Sequence, residues 1–275
     1  MMKIIFDDAG TAVDLTANLN RYQTGTSSFT FETGDTLYIG TDVPFNHTYI
    51  KMGTTVNLNS SVITLQYWDG KEFVNTVETI DETNGFAQNG YITFVPNKDN
   101  RWSREDTDDL DALNTLLGNT VIYDKYWLKM TVNVTTTADL DFDWMGQIFS
   151  DDFDLESEFP DLTRTNVKTA FKSGKTDWQE QAVIAAGVIA SDLKERQIIE
   201  HDGQILRREQ LRLASVQKTA EIIMSAFGAD YDDDRRKARE EYKSRLKTGI
   251  FTVDKDNDGI VDLNEQALRT GFMKR

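Results

Sequence analysis

The apolar periodicity of this chain changes once, near residue 150, and no single regular architecture accommodates both sides of that change. Up to about Phe149 the sequence is rich in Thr, Val, Ile and aromatics, in short runs broken by Gly, Asn and Asp, which is the texture of strands. Beyond it, apolar residues recur at the spacing of helices. The pattern predicts an α+β chain of two domains: an antiparallel β-sandwich or jelly roll over residues 1–155, then an all-α domain over 156–275. At 275 residues the chain is long enough to give each a core of its own.

In the first part, Ser27–Gly40 alternates around a Gly34-Asp35 turn signal, and Ser60–Val77 reads as strand, Asp69-Gly70 turn, strand. Further strands are predicted at Gly90–Val95 and Tyr126–Thr135, with a last one at Met145–Phe149. An insert between Asn97 and Tyr123 carries Leu110, Leu113, Leu116 and Leu117 at helical spacing. The acidic stretch Ser150–Arg164, interrupted by Pro160, reads as the boundary.

The first long helix is predicted from Asp177, with Asp177 and Glu180 as a capping box, to about Ile199. Its Ala185, Ala186, Gly187 and Ala190 leave room for another backbone to approach. After a turn at Glu200–Leu206, a second helix spans about Arg208–Phe227 and stops at Gly228. A third, Tyr231–Lys247, starts with three aspartates and ends in "KSRLK", so its charges complement the helix dipole.

Composition removes several classes of function. The net charge of -16 is uneven: residues 1–150 carry 9 Lys+Arg against 21 Asp+Glu, and the remainder carries 21 against 25. An acidic surface disfavours adhesion to nucleic acid or anionic lipid, because basic side chains supply most of that affinity. With no cysteine, disulfides, thiolate metal sites and thiol nucleophiles are excluded. The run before Asp7 is too short for a secretory signal, and Ala182–Ala190 is too short to span a bilayer, so a protein made in the cytoplasm and free of the membrane is expected. His47 and His201, read as surface or turn residues, fall in different predicted domains and offer no serviceable triad. No P-loop or Rossmann pattern is present, and the expectation is a protein that is not an enzyme. Trp68 and Trp127 lie on predicted strands and Trp144 directly before one, and for all three packing is the expected role and a sugar-binding platform the alternative.

The most explicit chemistry is "DKDNDGIVDLNE", Asp254–Glu265. Asp254, Asp256 and Asp258 stand at positions 1, 3 and 5 of an EF-hand loop and Gly259 at the bend. Ile260 supplies a backbone carbonyl at 7, Asp262 helps through water at 9, and Glu265 is the bidentate ligand at 12. The loop carries a charge of -4, so a calcium ion would turn repulsion into ligation. The segment before it, "TGIFTV", holds Gly249 and the β-branched Thr252 and Val253, so the incoming helix should stop by Thr248. Sensor EF-hands work as opening helix pairs, and no second copy of the loop is present. A structural calcium clasp is the expected role.

Two resemblances add to this reading. The segment from Pro44 to Trp102, with Tyr67, Trp68, Asp69, Gly70 and Phe73, then Asp81, Thr83 and Gly85, then Gly90–Phe94, followed by Tyr126–Lys129, resembles a β-sandwich module of tailed-bacteriophage structural proteins. The part from Asp177 to Glu265 is similar to the head-to-tail connector (adaptor) proteins of such phages. Ala182, Ala185, Ala186, Ile189, Asp192 and Leu193 on one helix, and Tyr242, Arg245 and Leu246 on another, carry that similarity, together with the order of the elements. It implies a virion subunit of a ring, usually dodecameric, between portal and tail proteins, through which DNA passes without being read, and it implies no catalytic residue. The tail "LRTGFMKR" would meet portal and neighbours. The alternative is a carbohydrate-binding sandwich of a phage tail or cell-surface protein with a structural calcium site.

Overall fold

The structure, a computed structural model, describes residues 2–22, 26–106, 124–260, 265 and 268–269. It is α+β, with antiparallel sheets in the first part and helices in the second. The chain forms two compact units, residues 1–146 with 256–260, and residues 147–255 with 261–275.

The first unit contains strands β1 (Lys3–Asp8), β2 (Thr11–Asp14), β3 (Ser27–Phe29), β4 (Thr36–Thr41), β5 (His47–Met52), β6 (Ile63–Trp68), β7 (Phe73–Asn75), β8 (Glu78–Asp81), β9 (Gly90–Val95), β10 (Tyr126–Val132) and β11 (Leu140–Gly146), with one helical turn, α1 (Thr16–Leu19). One sheet has the order β2-β1-β4-β10-β6-β7 and the other β3-β11-β5-β9-β8. Alternate residues of both fill one core: Ile4, Phe6, Leu37, Ile39, Leu65 and Leu128 from the first, Ile50, Ile92, Phe94, Leu140 and Phe142 from the second. This period of two is what packs two sheets face to face. The other face of the six-stranded sheet is apolar as well, where Ile5, Tyr38, Trp68 and Trp127 cluster with Phe73. There Trp127 Nε1 donates to the buried carboxylate of Glu105. All five tryptophans are buried, so those on strands pack as expected.

The hairpin predicted at Asp69-Gly70 forms: Trp68 pairs with Phe73, and Asp69 accepts from the amides of Lys71 and Glu72, with Gly70 at φ +96°. The one predicted at Gly34-Asp35 does not, because β3 and β4 belong to different sheets. Between them Phe31 is buried, its amide donating to Thr136 Oγ1 and its carbonyl accepting from Thr136 N. Asp35 accepts from the amides of Glu32 and Ala9 and so closes a crossing loop. The last strand runs from Leu140 to Gly146, earlier than Met145–Phe149, since Leu140 and Phe142 alternate with Asp141 and Asp143. Strands β1, β2, β5 and β8 were not foreseen. His47 is buried on β5, contrary to the surface role assigned to it, whereas His201 is exposed. The helix expected around Leu110–Leu117 lies outside the described residues.

The second unit begins near the predicted boundary, and its first helix, α2 (Asp152–Glu158), lies within that acidic stretch. The acidic residues that marked the boundary build it: Asp151 accepts from the amide of Asp154, and Asp154 accepts in return from that of Asp151. After α3 (Thr165–Phe171) come three long helices, α4 (Gln179–Glu195), α5 (Glu209–Ser225) and α6 (Asp232–Thr248). The start predicted at Asp177 gives way to Gln179, and Trp178 takes the cap position without a side-chain cap. The reason is tertiary: Trp178 is buried, with its amide on Asp152 at 2.7 Å and its Nε1 on the Leu162 carbonyl at 2.8 Å.

Helix α4 buries Ala182, Ala185, Ala186, Ile189, Ala190 and Leu193, the i, i+3, i+4 stripe of an amphipathic helix. Helix α6 buries only Ala238, Tyr242 and Leu246, one residue per turn on an otherwise charged surface. Tyr242 donates to Asp192 Oδ2 at 2.6 Å. Burial first, then the hydrogen bond and charge of Asp192, push its phenol well above the ordinary range. Arg208 and Arg212 converge on Asp154, each at 3.2 Å, in an ion triad whose Asp154 and Arg208 side chains are about nine-tenths buried. No described helix is long and apolar enough to cross a membrane.

Candidate metal centre

As expected, α6 stops before the loop, at Thr248, and Gly249 closes its last turn by donating to Arg245 O at 2.8 Å. The chain then runs extended through β12 (Ile250–Phe251), which pairs with β13 (Leu268–Arg269). An incoming helix would continue the loop as a lever; this entry is instead anchored residue by residue. Thr252 N donates to Gln210 Oε1 at 2.8 Å, and Gln210 Nε2 donates to Thr252 Oγ1 at 2.9 Å. Val253 bridges to Ile205, and Asp254 N donates to the Gln204 carbonyl at 2.8 Å. Phe251, Thr252, Val253 and Asp254 are all buried.

Inside the loop, Asn257 and Gly259 take positive φ, +58° and +77°. A left-handed backbone is the ordinary habit of Asn and Gly and strained for most other residues. A Cβ on Gly259 would also come within 3.2 Å of the Trp102 ring, which would have to give by a few tenths of an ångström to admit it. Lys255 N donates to Glu265 Oε1 at 2.6 Å, which folds the last ligand position back onto the first turn. Asp258 Oδ1 accepts from Ile260 N at 2.9 Å, an Asx turn across the glycine.

Carboxylate oxygens of Asp254, Asp256 and Glu265 converge to within 4.8 Å of one another. Asp254 and Glu265 are buried, and Asp256 is exposed. Like charges at that separation in a low-dielectric setting repel strongly, and a divalent cation relieves the repulsion. All three ligands are hard oxygens, the donor set that calcium takes at 2.3–2.6 Å. The residues present therefore fit calcium at positions 1, 3 and 12.

Asp258 stands outside the convergent trio: its Oδ2 faces Arg101 Nε at 3.7 Å, and Arg101 Nη2 donates to Asp256 Oδ2 at 3.3 Å. Ile260 lies among the described residues, and Asp262 lies outside them. Sequence reasoning missed Arg101, Gln204 and Gln210. Gln204 and Gln210 serve the loop from the α4–α5 connection and α5, and Arg101 does so from some 150 positions upstream. No local pattern marks any of the three.

Against known proteins, the chain matches no family model and no curated protein.

Proposed function

We propose that this protein is a non-enzymatic structural subunit of a tailed-phage virion, a head-to-tail connector whose C-terminal loop is held by a structural calcium ion. In this reading the two units are two domains, a β-sandwich module and an all-α connector domain. About twelve copies form a ring between portal and tail, and genomic DNA passes through the centre.

The observation that carries the proposal is where the connector-like residues fall in the helical unit. Ala182, Ala185, Ala186, Ile189 and Leu193 are the buried stripe of α4, and Leu246 is fully buried on α6. Tyr242 and Asp192, one from each connector-like segment, meet in a hydrogen bond of 2.6 Å. Residues chosen for their similarity to connectors thus support this bundle and are not scattered over its surface. An acidic chain also suits a channel wall, because phosphate that is repelled slides. The carbohydrate-binding alternative gains nothing comparable: its platform needs exposed aromatics, and the tryptophans are interior.

Electron microscopy and mass measurement of the purified full chain, alone and with a portal ring of the same phage, test the reading. Closed rings of about twelve copies, or decoration of the portal vertex, are expected. A chain that stays monomeric and leaves the portal bare under both conditions refutes it.

A further inference from the structure

We infer that Arg101 is a tethered counter-cation of the Asp254–Glu265 loop, which calcium must displace, and that it sets the affinity of the site. The inference rests on the calcium reading of that loop. Arg101 approaches two of the loop's ligand positions, Asp256 through Nη2 at 3.3 Å and Asp258 through Nε at 3.7 Å. At Asp258 the geometry is specific. Oδ1 accepts from the amide of Ile260, and Oδ2 is the oxygen turned toward Arg101, so the carboxylate of position 5 is held on the arginine's side.

This accounts for why Asp258, central to the ligand pattern, is missing from the convergent trio. A planar guanidinium with five donors can engage two carboxylates together, and it carries one positive charge into a loop that has a formal excess of four negatives. It lowers the repulsion among the carboxylates without a metal, and it opposes the second positive charge when calcium arrives. The Arg101 side chain is 67% exposed, so its ion pairs are in contact with water and are weak enough to exchange. Trp102, its neighbour in sequence, is buried against the Gly259 bend and keeps the arginine's backbone beside the loop.

The test is calcium titration calorimetry on the full chain: wild type, Arg101→Gln, Arg101→Lys and Glu265→Gln. A single charge about 6 Å from a divalent ion in water weakens binding about tenfold, so Arg101→Gln should bind calcium about tenfold more tightly. Arg101→Lys keeps the charge and should stay nearer to wild type. The gain should shrink as salt is raised, because exposed charges are screened. If Arg101→Gln binds with wild-type or weaker affinity while Glu265→Gln does not bind, the inference is overturned and the calcium site stands. If neither wild type nor Arg101→Gln takes up calcium, the loop reading fails and the inference with it.

Discussion

Among the carboxylates of this molecule that face arginines, two groups have surroundings that give them opposite characters. In the helical unit Asp154 meets Arg208 and Arg212 where little water reaches, with side-chain exposures of 10% for Asp154 and 9% for Arg208. In the loop, Asp256 and Asp258 meet Arg101, which is 67% exposed. The distances are similar, 3.2 Å against 3.3 and 3.7 Å. What separates the groups is the solvent alternative. A buried charge that loses its partner has no water to take its place, whereas an exposed one does. The first pairing is fixed on folding, and the second can be traded for another cation.

The largest effect that can break this contrast comes from the buried side. Arg208→Ala leaves the Asp154 charge with Arg212 as its remaining arginine, and the cost should be about 3 kcal/mol, read as a lower denaturation midpoint. A loss below about 1 kcal/mol would mean that water reaches Asp154 and that the two groups are alike. Next comes the loop itself. With free calcium at ten times its dissociation constant, linkage stabilises the folded chain by about 1.4 kcal/mol, and Glu265→Gln should abolish that gain in thermal melts with calcium or chelator. Wild type and variant that respond equally to calcium would remove the loop from the site.

The smallest effect sharpens the comparison with an intermediate case. Glu221, itself buried at 8% side-chain exposure, pairs with Lys218 at 2.9 Å and with the half-exposed Arg239 at 2.6 Å. Burial acts to raise its carboxyl, but the hydrogen bonds and charges of Lys218 and Arg239 outweigh burial and hold it below its ordinary value of 4.5. A depressed folded value means that its stabilisation is present above about pH 4.5 and disappears as the pH falls through the folded value. Urea midpoints of wild type and Glu221→Gln should therefore differ at pH 7 and converge toward pH 3. A difference that is constant with pH would assign the effect to packing.

Legibility in the sequence followed the range of the interactions. The strands Ile63–Trp68 and Phe73–Asn75 form because an Asp-Gly turn lies directly between them, and α6 ends at Thr248 because Gly249 and the β-branched residues after it disfavour a helix. The acidic stretch Ser150–Arg164 was read only as a boundary from its charge and Pro160, and the Asp151–Asp154 spacing that caps α2 within it went unused. Strand β11 was legible as well, in the alternation of Leu140 and Phe142 with Asp141 and Asp143.

By itself the sequence determined the α+β division, the positions of the three long helices to within a few residues, and the spacing of carboxylates along the loop. These rest on periodicity and turn chemistry within a dozen residues, where backbone geometry leaves few choices. Only the tertiary structure decided that β3 and β4 belong to different sheets, that Trp178 displaces a capping box, and that Arg101 faces Asp256 and Asp258. Each of those depends on which distant side chain fills a space or meets a charge, and contacts of that kind leave no periodic trace along the chain.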